Sequence, residues 1–188
     1  LLDSKPNIIK ELKSETQVAD GEYFIHEYKP ALQMIVVGAV HISQALVKMA
    51  QTLDIDVTLV DPRTAYASEE RFPNVKFMTD WPDEALEKIG VNSSTAIVTL
   101  SHDPKLDDPA LECAIRSDAF YVAALGSRKT QKQRKARLLE NGYSEVEIAR
   151  IHGPAGLDIG SLEPAEIALS ILAELVSIRR SENIKGIA

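Results

Sequence analysis

Apolar residues in this chain fall into short runs, set between longer stretches that repeat with a different spacing. The runs are Met34-Ile35-Val36-Val37 (entered from Ala31 or Leu32), Asp56 to Val60, Val75 to Met78, Thr95 to Leu100 and Ala119 to Leu125. They are short, rich in β-branched residues and bounded by turn formers, which predicts buried strands. Between them the period becomes helical. Ile42, Leu46, Met49, Ala50 and Leu53 share one helix face after Gly38. Asp80-Trp81-Pro82-Asp83-Glu84 opens a short helix, with proline suited to its first turn and acids suited to its dipole. A further helix is predicted from Asp108-Pro109 through Ile115. Gly126-Ser127 caps one that runs to about Glu140, where Asn141-Gly142 ends it. Ser144 and Glu147 form a capping box for a short helix ending near Ile151. From Pro164, Ile167, Ala168, Ile171, Leu172, Leu175 and Val176 make one stripe. Alternation of this kind predicts an α/β domain, doubly wound, with a mostly parallel sheet of at least five strands.

The flanks carry less pattern. Residues 1–30 read as a tail or remnant segment, in which Ile8, Ile9 and Leu12 give one face of a short helix. Tyr23 to Tyr28 is rich in β-formers and reads as an edge strand, broken by Pro30. The globular unit is expected over 31–180, with 181–188 as a C-terminal tail.

One junction organises the rest. The first core run stops at Gly38, and a helix pattern begins within three residues, through Ala39-Val40-His41. That strand–turn–helix is how a dinucleotide-binding α/β domain of Rossmann type begins: the helix start offers unpaired N–H groups to a phosphate. Asp61, at the end of the second run, stands where a ribose hydroxyl would be held. The G-x-G-x-x-G fingerprint is incomplete, with Val40 and Ser43 at its second and third glycine positions. A valine at the second position argues against ordinary dinucleotide binding, because that glycine lets a pyrophosphate approach the backbone.

In a core-strand order 3-2-1-4-5, further polar groups meet this turn beyond the strand ends. The fourth run delivers Ser101-His102-Asp103 and the fifth Gly126-Ser127-Arg128. The glycine-rich stretch containing Gly156, Asp158 and Gly160 stands ready to close over them. Each cluster has two readings. His41 contacts a ligand or a loop carbonyl. His102 and Asp103 handle a proton, or Asp103 and Pro104 simply start a helix. Gly126-Ser127-Arg128 is an anion site or a helix cap. The basic run from Arg128 to Arg137 raises the local potential or is a solvated helix face.

Composition narrows the classes. A net charge of −7 argues against a general nucleic-acid binder. A single cysteine, Cys113, cannot form an internal disulfide, so a reducing cytoplasm is the expected compartment. It lies inside a helical pattern and reads as a packed small residue. No apolar run approaches the roughly 18 residues of a membrane span, and no signal peptide is visible. No spacing of His, Cys, Asp and Glu suggests a protein-ligated metal.

Several segments together resemble the C-terminal domain of the XdhC/CoxI family, the xanthine dehydrogenase accessory proteins. They are Gly38-Ala39-Val40-His41, Asp61-Pro62-Arg63, Glu70-Arg71-Phe72-Pro73, Leu100 to Asp107, Leu125 to Thr130, Gly156 to Gly160 and Glu166 to Glu174. The resemblance implies a Rossmann-type domain in a maturation factor. Such a factor binds the molybdenum cofactor (molybdopterin), protects it, and supports its sulfuration and insertion into an apo molybdenum hydroxylase. With the strand-end clusters, this gives Gly38, Ala39, Val40, His41, Asp61, Arg63, His102, Asp103, Gly126, Ser127, Arg128, Gly156, Asp158 and Gly160 as candidate cofactor-binding positions. Two departures stand out. Val40 replaces the second glycine of the family's Gly-x-Gly-His, and the N-terminal domain with a cysteine motif is not in this sequence. Sulfuration is therefore not expected of this half alone, and a homo-oligomer or an N-terminal-domain partner becomes a natural complement. The alternatives are an NAD(P)-linked oxidoreductase with His102 as proton donor, and a nucleotide-responsive docking module.

Overall fold

The computed structural model describes residues 18–19, 23–24, 31–64, 66 and 70–184. Two short strands, β1 (Val18–Ala19) and β2 (Tyr23–Phe24), pair antiparallel as a separate ladder. The expected edge strand at Tyr23 thus pairs with Val18–Ala19 and not with the main sheet, and residues 25–30 lie outside the described residues. So do Ile8, Ile9 and Leu12.

The main sheet holds β3 (Gln33–Val37), β4 (Asp56–Val60), β5 (Lys76–Met78), β6 (Thr95–Thr99), β7 (Tyr121–Ala124) and β8 (Ile151–His152). Their order is β5-β4-β3-β6-β7-β8, and all pairs are parallel. The chain winds outward from β3 through β4 to one edge, then returns to pair β6 on the other side of β3. That reversal leaves a crevice beyond the carboxyl ends of β3 and β6.

Helices cover both faces. Met34, Val36, Ala96 and Val98 pack with Leu46, Val47 and Ala50 of α1 (His41–Thr52) and Ala168, Ile171 and Leu175 of α6 (Pro164–Ile184). Ile35, Val37, Ile97 and Val122 face the other way, onto α2 (Pro82–Ile89), α3 (Pro104–Ile115), α4 (Arg128–Glu140) and α5 (Glu145–Ile148). Burial on both faces is why these strands read as continuous apolar runs.

The structure corrects three boundaries. Helix α3 begins at Pro104, a turn earlier than Asp108-Pro109 suggested and at the entrance that the alternative reading of Asp103-Pro104 gave, because the Asp103 carboxylate accepts the Lys105 N–H at 3.0 Å and caps it there. Pro109 consequently sits inside the helix. The chain expected to be helical up to Ile151 instead ends α5 at Ile148 and adds the sixth strand, β8, which pairs with Val122 and Ala123. Two residues are too few to show a period. Helix α6 continues to Ile184, into the stretch read as a tail. Among the described residues no helix is long and apolar enough to cross a membrane.

Candidate functional site

The central turn is tightly built. The Gly38 N–H donates to the Val60 carbonyl at 2.9 Å, and its backbone sits at φ +108°. A Cβ there would lie 2.8 Å from the Ser101 amide nitrogen, so only glycine lets the β3 and β6 ends approach this closely. Val40, at the N-cap of α1, has ordinary extended backbone and supplies no side-chain cap. Ser43 is fully buried, and its hydroxyl donates to the Gly38 carbonyl. A small polar residue at the third fingerprint position thus locks the turn from inside. His41 is exposed at the helix start, with Nδ1 3.4 Å from Gln44 Oε1. The first-turn N–H groups of α1 therefore face the crevice without a capping side chain.

Beyond β4 the acid behaves differently from the ribose-binding expectation. Asp61 is fully buried. Its Oδ2 accepts the Ala39 N–H at 2.7 Å and Arg63 Nη2 at 2.8 Å; its Oδ1 accepts the Arg63 N–H and Nε, both at 2.9 Å. Burial would raise its pKa, but the hydrogen bonds from Arg63 and Ala39 outweigh it and hold the carboxyl below its ordinary range. The contact with Asp61 holds the Arg63 guanidinium above its ordinary value, and the nearby Asp103 carboxylate adds to this. Arg63 lies 4.8 Å from the centre of the Tyr66 ring and keeps 35% of its side chain exposed. Asp61 thus pins the central turn to Arg63, and Arg63 is the group left facing outward.

Beyond β6 the polar residues divide. His102 is exposed and sits in the left-handed region at φ +61°, between a Ser101 pressed against Gly38 and an Asp103 committed to capping α3. Helix capping is what Asp103 visibly does. Behind them is a buried network that sequence reading missed. Ser101 Oγ donates to Asp107 Oδ1 at 2.6 Å, and Arg134 Nη2 reaches Asp107 Oδ2 and the Leu125 carbonyl, both at 3.3 Å. Arg134 Nη1 donates to Gln131 Oε1, and Gln131 Nε2 donates to the Ala124 carbonyl at 2.9 Å and the Gly126 carbonyl at 3.2 Å. This chain of contacts ties the β6 and β7 ends into one rim. Burial raises the Asp107 carboxyl and lowers Arg134, while their mutual attraction opposes both.

The basic run on α4 is accordingly not one solvated face. Arg134 is buried; Arg137 pairs with Asp108, at 3.0 Å for Nη2; Lys135 pairs with Glu145 at 3.1 Å. A signal was present, since Arg134 and Leu138 stand one helical turn apart on the buried face. Arg128, Lys129 and Lys132 remain exposed in the first turns. Ser127 caps the helix, accepting the Thr130 N–H at 3.2 Å, and Gly126 at φ +132° leaves no room for a Cβ beside Thr130. The cap and a start suited to anions coexist here.

The stretch around Gly156 is anchored to one side of the rim. The Ala155 N–H donates to the Ala124 carbonyl at 3.1 Å. The Gly156 N–H donates to Glu174 Oε2 at 2.9 Å, an oxygen that also accepts the buried Tyr121 hydroxyl at 2.6 Å. Asp158 and Gly160 are exposed, and no hydrogen bond among the described residues joins them to the central turn. Cys113 is half-buried in α3, where burial pushes its thiol up.

Residues 34–175 match the family model described as the XdhC Rossmann domain. A protein of Escherichia coli (strain K12) named molybdenum cofactor insertion chaperone PaoD is 28% identical over 81% of this chain and 42% of its own length. A probable xanthine dehydrogenase subunit of Bacillus subtilis (strain 168) is 27% identical over 84% of this chain and 46% of its own. The crystal structure of a xanthine dehydrogenase from Bacillus halodurans superposes with a TM-score of 0.71 at 26% identity, over 88% of this chain and 48% of that one. The chain thus spans less than half the length of these relatives. With a six-stranded parallel sheet, a glycine turn at its reversal and a family match over most of its length, the chain belongs to the XdhC Rossmann-domain family.

Proposed function

We propose that this domain is the cofactor-holding part of an accessory factor. It binds the molybdenum cofactor at the rim beyond β3, β4, β6 and β7 and supports its insertion into a molybdenum hydroxylase such as xanthine dehydrogenase. The observation that carries the reading is the donor set of the rim, seen in a chain whose relatives include a named molybdenum cofactor insertion chaperone. Molybdopterin ends in a phosphate, or a pyrophosphate in its dinucleotide form. The rim offers what a phosphate needs: the uncapped first turn of α1, the start of α4 with Arg128, and the outward edge of Arg63. Among the described residues the one thiol, Cys113, lies roughly 14 Å along α3 from its rim end. The fit is therefore to the phosphate end of the cofactor, and sulfuration is not assigned to this chain. When bound in the hydroxylase, the cofactor supplies the redox chemistry. The residues here bind, orient and release it.

The acceptor is the apo-hydroxylase. A second copy of the chain, or the further length that its relatives carry, completes the cover over the cofactor. The proposed compartment is the cytoplasm. The competing reading, an NAD(P)-linked oxidoreductase, is disfavoured by Val40 at the pyrophosphate position, and its NAD form also by an Asp61 with no exposed surface to offer a ribose diol.

The test is to purify the protein from cells that make the cofactor and identify bound small molecules by mass spectrometry. Molybdopterin or its oxidised pterin derivatives are expected. Fluorescence titration of NADH and NADPH is expected to show no saturation in the low micromolar range, where about 8 kcal/mol would be needed. Bound NAD(P), or tight binding with hydride transfer, contradicts the proposal.

A further inference from the structure

We propose that the seat beyond β4 reads an anionic group on the ligand through Arg63, not a ribose diol through Asp61. The inference rests on reading the strand-end rim as the ligand seat and names what one part of it recognises.

A carboxylate that holds a ribose does so by accepting from its hydroxyls, which requires exposed oxygens with lone pairs to offer. Asp61 has neither. Its carboxylate is fully buried, and four N–H donors reach it: Ala39 N and Arg63 Nη2 on one oxygen, Arg63 N and Nε on the other. Two carboxylate oxygens have about four lone-pair sites between them. The acceptor capacity of Asp61 is filled by the protein itself.

Arg63 is in the opposite condition. A guanidinium carries about five N–H donors. Asp61 takes one from Nε and one from Nη2, and among the described residues Nη1 has no partner. The group is partly exposed, and the Tyr66 ring at 4.8 Å holds one face of its plane. Asp61 clamps one edge, so the other edge is fixed in direction and points donors outward. A planar edge of paired N–H groups suits the oxygens of a phosphate monoester. It is poorly matched to a ribose diol, which a carboxylate takes as paired acceptors. The seat lies on the opposite wing from Arg128. Three strand steps separate β4 from β7, roughly 14 Å. A ligand with anionic groups toward both ends would meet a guanidinium at each wing and the α1 helix start between them.

Among the described residues two carboxylates oppose an anion here: Asp61, already paired with Arg63, and Asp103, which is close enough to act on Arg63 without a hydrogen bond to it. Asp103 supplies a second, gain-of-function handle. Asparagine caps a helix as well as aspartate does, so Asp103→Asn keeps α3 while removing the charge.

The experiment is calorimetric titration of the full chain with adenosine 2′,5′-bisphosphate, adenosine 5′-monophosphate and inorganic phosphate. The extra 2′-phosphate is expected to tighten binding at least about tenfold, comparable to one charge-assisted contact. Asp103→Asn should widen that ratio, and Arg63→Lys should narrow it. Arg63→Ala should abolish it, although that variant leaves Asp61 buried without its partner and risks misfolding. The wild-type ratio, Asp103→Asn and Arg63→Lys decide the matter without it. Equal affinities, a preference for the monophosphate, no binding of either nucleotide at millimolar concentration, or a ratio matched by inorganic phosphate alone would overturn the inference. Pterin loading, measured on the same preparations, separates the two claims. Loading without a 2′-phosphate effect sinks this inference alone, and a 2′-phosphate effect without loading sinks the proposed function alone.

Discussion

At the scale of single residues, the informative positions are those where a side chain does a structural job at a place that fold analogy reserves for a ligand. Asp61 is the clearest case. Its identity and position at the end of β4 were legible in the sequence, but its use was not. A pattern of types cannot say that Arg63, two residues on, folds back to fill the carboxylate. The pair makes a prediction about pH. The folded-state pKa of Asp61 is depressed, so its contribution to stability is complete above the unfolded value of about 3.9 and is lost as pH falls through the lower folded value. Urea midpoints of wild type and Asp61→Asn should differ by a constant amount from about pH 7 to 5 and converge below about pH 4. A gap that persists undiminished at about pH 2 contradicts the ion-pair account. Arg134 teaches the complementary lesson. It reads as one more cation in a basic run, yet it is buried against Asp107 and joins two strand ends. The pairing partners lie in different helices, and the sequence carries no mark of which cations turn inward beyond the spacing to Leu138.

At the scale of elements, the strand–turn–helix at Gly38 was readable because every local signal agreed: an apolar run, a glycine, a helical period. What could not be read is that Gly38 serves the neighbouring strand end as much as its own turn. A Cβ there meets the Ser101 amide nitrogen and Cα, at 2.8 and 2.9 Å, and these are backbone atoms that cannot swing aside. Gly90, at the end of α2, also has a positive φ, of +77°, but a Cβ there meets nothing within 4 Å. Gly38→Ala should therefore cost more than Gly90→Ala, by roughly 1–3 kcal/mol in urea unfolding. It should also weaken ligand binding, since β6 must shift away from β3. Equal losses in the two variants would mean that the close approach of the two strand ends carries no weight. The elements missed or misplaced share one physical reason. β8 has only two residues, too few to show a period, and the start of α3 was decided by a single side-chain cap at Asp103, not by periodicity.

At the scale of the molecule, the doubly wound sheet brings groups from β3, β4, β6 and β7 to one rim, although they are scattered along the chain. That convergence followed from the alternation of strands and helices and the expected strand order. The stretch around Gly156 followed only in part. Glu174 and the Ala124 carbonyl hold it at the β7 side, and its exposed residues stand apart from the central turn. The central claim is that this rim holds the molybdenum cofactor by its phosphate end. The most direct measurement is the molybdopterin retained per chain after purification from cofactor-producing cells, compared across wild type, Arg128→Ala and Lys135→Ala at two salt concentrations. Arg128 is exposed at the start of α4, so its loss should remove a charge-assisted contact of roughly 1.5–3 kcal/mol, about one to two decades in affinity. Lys135 already pairs with Glu145 at the surface, so its loss should cost little and change mainly with salt. The account predicts pterin in wild type and Lys135→Ala and its depletion in Arg128→Ala. An absence of pterin in wild type, or equal retention by Arg128→Ala and wild type, would contradict it.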